Sequence, residues 1–110
     1  MRIYISGKIT GTTDYIQRFI KAEIQLLLEC GEGVEIINPA TYNEQLPKSF
    51  THDEYMTVCM ALLSTCDAIY MLDGWEDSKG AKAECEYAMF HNYKIMSEKR
   101  GVKGEKTDKV

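Results

Sequence analysis

Arg2-Ile3-Tyr4-Ile5-Ser6 is a short β-rich run ended by Gly7, and it predicts a first strand. Residues 8–13 form a loop with Gly11, and Thr13 or Asp14 can cap the next helix. Ile16, Phe19, Ile20, Ile24, Leu27 and Leu28 then recur at helical spacing as one apolar stripe, closed by Gly31 and Gly33. Residues 34–37 predict a second strand, stopped by Asn38-Pro39. Residues 40–50 show no period, contain Pro47 and read as a loop. Thr51 or Asp53 opens a second helix with Met56, Cys59, Met60 and Leu63 on one face. Residues 68–72 are wholly apolar, as in the central strand of a parallel sheet. Residues 78–91 predict a third helix and 93–96 a fourth strand. From Ser97 the chain is mostly charged, so the reading is one domain over 1–96 and a mobile tail over 97–110.

This alternation predicts an α/β protein: a small flavodoxin- or Rossmann-like parallel sheet of about four strands, order 2-1-3-4, with helices on both faces. Ligands of such sheets bind beyond the carboxyl ends of the strands, where the strand order reverses. Two loops fall there, 7–11 after the first strand and 73–78 after the third.

Composition narrows the partners. The 110 residues are 45% hydrophobic and 27% charged, with net charge -4. That balance is ordinary for a globular protein and argues against a nucleic-acid polymer or an anionic membrane as partner. A small anion held by a few local donors remains compatible with it. No stretch is long and apolar enough to span a bilayer, and the N-terminus reads as a strand rather than a signal peptide. Cys30, Cys59, Cys66 and Cys85 lack CxxC or metal-ligand spacing and read as buried reduced thiols in a cytoplasmic protein.

The two loops carry the candidate chemistry. "SGKITG" is neither GxGxxG nor a P-loop, and no acidic residue ends the second strand. Gly7 permits close backbone approach to a ligand and Lys8 supplies a positive charge. Ser78 can cap the third helix, bind an anion at its N-terminus, or do both. Gly80 removes a side chain where that ligand would approach. Glu84 shares a helix face with Gly80, Ala81 and Ala88, small residues that leave space over its carboxylate. The helix N-terminus is expected to hold the carboxylate ionised. An ionised carboxylate in a crevice suits a nucleophile, as in retaining glycoside hydrolysis.

"IYISGKITG" and "CDAIYMLDGWEDSKGAKAECEYA" resemble the nucleoside 2-deoxyribosyltransferase-like superfamily, in particular a small phage and bacterial branch. A better-known relative is the 2'-deoxynucleoside 5'-monophosphate N-glycosidase. The resemblance implies that Glu84 attacks C1' of the sugar and displaces the base. It implies that Ser78 binds a 5'-phosphate, where transferases of unphosphorylated nucleosides carry an Asp. It places Tyr4 beside the nucleophile and Gly7, Lys8 and Ile9 along the sugar and base. The superfamily's usual Asp on the second helix falls on Cys59, a departure that passes the acid role to Asp53, Glu54 or Asp73, or leaves catalysis weak or absent. No cofactor or metal is expected, and a homodimer or larger homo-oligomer is implied. Three readings stand: an N-glycosidase or deoxyribosyltransferase, a nucleotide-binding sensor or phage nucleotide sponge without turnover, and a subunit acting only with partners.

Overall fold

The computed structural model describes residues 1–98. Strands β1 (Arg2–Ser6), β2 (Glu35–Ile37), β3 (Ala68–Met71) and β4 (Lys94–Ser97) form one parallel sheet in the order β2-β1-β3-β4. Helices α1 (Tyr15–Cys30), α2 (Pro39–Asn43), α3 (His52–Leu63) and α4 (Lys79–Phe90) connect them, with a single 3-10 turn at Trp75–Asp77. The expected fold class and strand order are both present. In the central pair, Tyr4 lies opposite Ile69 and Ser6 opposite Met71.

The period of two along a strand divides the core. Ile3 and Ile5 of β1 and Tyr70 of β3 face Phe19, Ala22 and Leu26 of α1. Tyr4, Ile69 and Met71 face the other way, against Cys59 and Leu63 of α3 and Ala81, Cys85 and Ala88 of α4. Phe19 and Leu26 are completely buried, and burial of each contributes roughly 1.5–3 kcal/mol.

Several local expectations are corrected. Residues 40–50 are not all loop, because Asn38 caps α2 by accepting from the Ala40 N–H at 3.0 Å and Pro39 occupies its first turn. Of the apolar stripe of α1 only Phe19 is fully buried, and Ala22 and Leu26 complete the buried face of that helix. Ile20, Ile24, Leu27 and Leu28 are exposed, Leu28 to 80%. Cys30 is exposed, whereas Cys59, Cys66 and Cys85 are buried, and all four are free thiols. The strand assigned to 93–96 runs through Ser97, and the Glu98 N–H bonds the Met71 carbonyl at 2.9 Å. Those two residues of the expected tail therefore belong to the sheet edge, and 99–110 lie outside the described residues.

Candidate active site

The strand period that sends Tyr4 toward α4 sends Ser6 there too. The Tyr4 hydroxyl donates to Glu84 Oε2 at 2.6 Å, and the Ser6 hydroxyl donates to Oε1 at 2.6 Å. Glu84 itself is 5% exposed. Ala81, Glu84, Cys85 and Ala88 form the buried face of α4, with i, i+3, i+4, i+7 spacing. Its small side chains let the helix lie close to the sheet, which carries the carboxylate to the two hydroxyls.

Burial raises the Glu84 carboxyl from its ordinary 4.5 to about 7, while the bonds from Ser6 and Tyr4 oppose that rise. The expectation of a carboxylate held ionised by the helix terminus is thus corrected. Desolvation outweighs the hydrogen bonds, and near neutrality the group divides between acid and carboxylate. The Tyr4 phenol is pushed well above its usual range, chiefly by burial and then by Glu84, so it stays a proton donor.

Glu84 lines an inner chamber of about 30 Å³, together with Tyr4, Gly7, Ile9, Tyr55, Ser78 and Gly80. Two wider hollows adjoin it. One, of about 440 Å³, is bordered by Lys8, Asp77, Ser78, Lys79 and Gly80. The other, of about 470 Å³, is bordered by Asn43, Leu46, Phe50, Thr51 and Tyr55. Thr10 and His52 line all three, so the two wider hollows adjoin the chamber that Glu84 lines and form one cleft with it.

The starts of α3 and α4 at this cleft are both capped, as is that of α2, whose Pro39 lines the inner chamber. Ser78 accepts from the Ala81 N–H at 3.1 Å, which leaves its own O–H to donate elsewhere. Thr51 and Glu54 form a reciprocal capping box at 3.1 and 2.8 Å. Glu54 is therefore occupied in holding α3 rather than in supplying a proton. Asp53 and Asp73 are exposed and line none of the three hollows. The backbone N–H of Asp73 donates to the Glu98 carboxylate at 2.8 Å.

The glycines have packing reasons. A Cβ on Gly7 would lie 2.9 Å from the Leu72 side chain, so Gly7 lets the loop after β1 cross Leu72. A Cβ on Gly80 would meet Met56 Sδ at 3.0 Å, so Gly80 also lets α3 and α4 pack closely beside the cleft it lines. Cys59 is 2% exposed and lines none of the three hollows. Burial raises its thiol to about 11, and its electrostatic neighbours are Tyr55, Glu84 and Tyr4.

The structure brings Tyr4, Gly7, Lys8, Ile9, Ser78, Gly80 and Glu84 to one cleft. It leaves Asp73 outside and Cys59 behind the wall. Sequence reasoning missed Ser6, Thr10, His52 and Tyr55. Ser6 had a signal, since it is the polar residue two positions after Tyr4 on the same strand face. It also missed Arg18, which fixes the loop by donating to the Lys8 carbonyl at 2.7 Å and pairing with Asp14 at 3.1 Å.

Together these features define a small parallel α/β protein with a buried, doubly hydrogen-bonded carboxyl group in a cleft at the carboxyl ends of its strands. The chain belongs to the family described as Domain of unknown function (DUF4406), whose model matches residues 1–97. No curated protein and no solved structure matches it. No helix among the described residues is long and apolar enough to cross a membrane.

Proposed function

We propose that this protein cleaves the N-glycosidic bond of a (deoxy)nucleoside 5'-monophosphate, with Glu84 as nucleophile. The observation that carries the reading is the buried Glu84 carboxyl group, gripped on both oxygens and set one turn beyond a capped helix start. In the reaction a lone pair of the Glu84 carboxylate attacks C1' of the sugar. The C–N bond breaks toward the base, which leaves with the electron pair and takes up a proton. The resulting glycosyl ester is resolved by water in a hydrolase or by a second base in a transferase. Each carboxylate oxygen has two lone pairs, so the bonds from Tyr4 and Ser6 orient the nucleophile without consuming it. The 5'-phosphate sits at the start of α4, near the Ser78 hydroxyl and the charges of Lys8 and Lys79. Self-association belongs to the same proposal, supported by the exposed apolar face of α1 at Ile20, Ile24, Leu27 and Leu28.

A second reading, nucleotide binding without turnover, draws on one feature. Glu84 is the single carboxyl group among the described residues lining the inner chamber, and a thiol near 11 is a weak acid for a departing base. One experiment separates the two. The four deoxynucleoside monophosphates are incubated with wild type and with Glu84→Gln, and free base is followed by chromatography. Base release that disappears in Glu84→Gln supports the enzyme. Tight binding with no base release replaces it with the binding protein.

A further inference from the structure

Among the described residues, one buried side-chain oxygen or nitrogen has no hydrogen-bond partner, and it is the Tyr55 hydroxyl. Buried hydroxyls are normally satisfied, so an orphan on a side chain that lines a cleft needs a reason. The Cys59 thiol, one turn further along α3, is close enough to couple to it but falls outside hydrogen-bonding geometry. Thiols are weak partners in any case. Tyr55 lines both the inner chamber and the hollow bordered by Asn43, Leu46 and Phe50, and it does not border the hollow at Ser78 and Lys79.

We propose that the Tyr55 hydroxyl is a substrate-contacting donor that binds an in-plane acceptor of the nucleotide's base. This rests on the nucleotide reading given above. A ligand with its phosphate at Ser78 and its C1' at Glu84 directs its base toward Tyr55 and Phe50. Burial keeps the phenol protonated across the physiological range, so Tyr55 offers a hydrogen bond rather than a transferable proton. The fold itself supplies this donor with no partner, and an acceptor on the base satisfies it. A base analogue lacking the acceptor would strand the hydroxyl, which makes Tyr55 a determinant of specificity.

The test is Tyr55→Phe, which keeps the ring and removes the hydroxyl. Melting is compared without ligand, and calorimetry is run with dAMP, dGMP, dCMP, dTMP and 2-deoxyribose 5-phosphate. The expected melting midpoint equals or exceeds wild type, because no internal bond is lost. Affinity for the best-bound nucleotide is expected to fall about tenfold, or about 1.4 kcal/mol, with deoxyribose 5-phosphate bound as before. A midpoint lower by several degrees would reveal a structural partner and overturn the proposal. So would unchanged nucleotide affinity, or an equal loss for deoxyribose 5-phosphate. If wild type binds none of the four nucleotides, the nucleotide reading falls and takes this contact with it. If wild type binds one and Tyr55→Phe binds it equally, the Tyr55 contact alone falls.

Discussion

Tyr4 on β1 and Glu84 on α4 are 80 residues apart in the chain and meet in a 2.6 Å hydrogen bond. The bond favours the ionised carboxylate, while the burial that surrounds it favours the acid. The balance lies near neutrality, so the protein's chemistry should be sensitive to small changes around this one group.

The first prediction is a pH profile. A nucleophilic Glu84 must be ionised, so base release should rise with pH and level off above about 7. Tyr4→Phe and Ser6→Ala each remove a bond that lowers the Glu84 value, so each should move the midpoint upward. Rate measurements from pH 5 to 9 on the three proteins check this. A midpoint near 4.5 in wild type would mean that Glu84 is not the titrating group.

The same balance governs stability. The folded carboxyl titrates near 7 and the unfolded one near 4.5. Between those values the folded state binds more protons, so stability falls as pH rises through that window and stays lower above it. The full cost is about 3 kcal/mol at alkaline pH. Glu84→Gln removes the ionisation and should be more stable than wild type at pH 8, by up to that amount, with the advantage shrinking toward pH 5. Glu84→Ala is different, because it strands the Tyr4 and Ser6 hydroxyls and opens a void, so it should gain less than the glutamine variant at pH 8. Urea melts at pH 5 and 8 measure both differences.

Much of this architecture was legible in the chain because it rests on local signals. The alternation of strand and helix and the apolar run at 68–72 sufficed for the sheet and its order. Glu84 stood out because small residues flank it on one helix face. The failures share a physical cause, since they depend on tertiary partners. Ile20, Ile24, Leu27 and Leu28 have helical spacing, yet only packing reveals that Phe19, Ala22 and Leu26 are the inward set. Gly7 and Gly80 line the cleft, but their close contacts with Leu72 and Met56 come from distant positions in the chain and leave no local signal. The helix start is visible in the sequence and the depth of burial is not, so the rise of the Glu84 carboxyl follows only from the packing.

Ser78 offers a test of phosphate recognition that spares the helix. Its oxygen caps α4, and an alanine there would cost about 1 kcal/mol and confuse the result. Aspartate is an equally good cap but places a negative charge where the phosphate is proposed to sit. Ser78→Asp should therefore melt like wild type while binding deoxynucleoside monophosphates at least tenfold more weakly. Binding of the unphosphorylated nucleosides should be preserved. Calorimetry with matched nucleoside and nucleotide pairs decides it. A uniform loss across both would count against a phosphate at this helix start.

Cys59 raises the last question, whether its thiol stands in for an acid or belongs to the core. It is 2% exposed and packs in the cluster that contains Leu63 and Met71. It is also an electrostatic neighbour of Glu84. Cys59→Asp would bury a second carboxyl group near the first. Two buried carboxyl groups in one site resist ionising together, so the Glu84 limb of the pH profile should move above 7. The desolvated, unpaired charge should cost roughly 3 kcal/mol of stability at neutral pH. Cys59→Ala removes only a small, weakly polar group and should lower stability modestly while leaving the rate at saturating nucleotide within about threefold of wild type. Melting, pH–rate curves and saturating rates on both variants supply the answer. A Cys59→Asp protein as stable as wild type that also releases base faster would show that the position accepts an acid and that the thiol limits the chemistry.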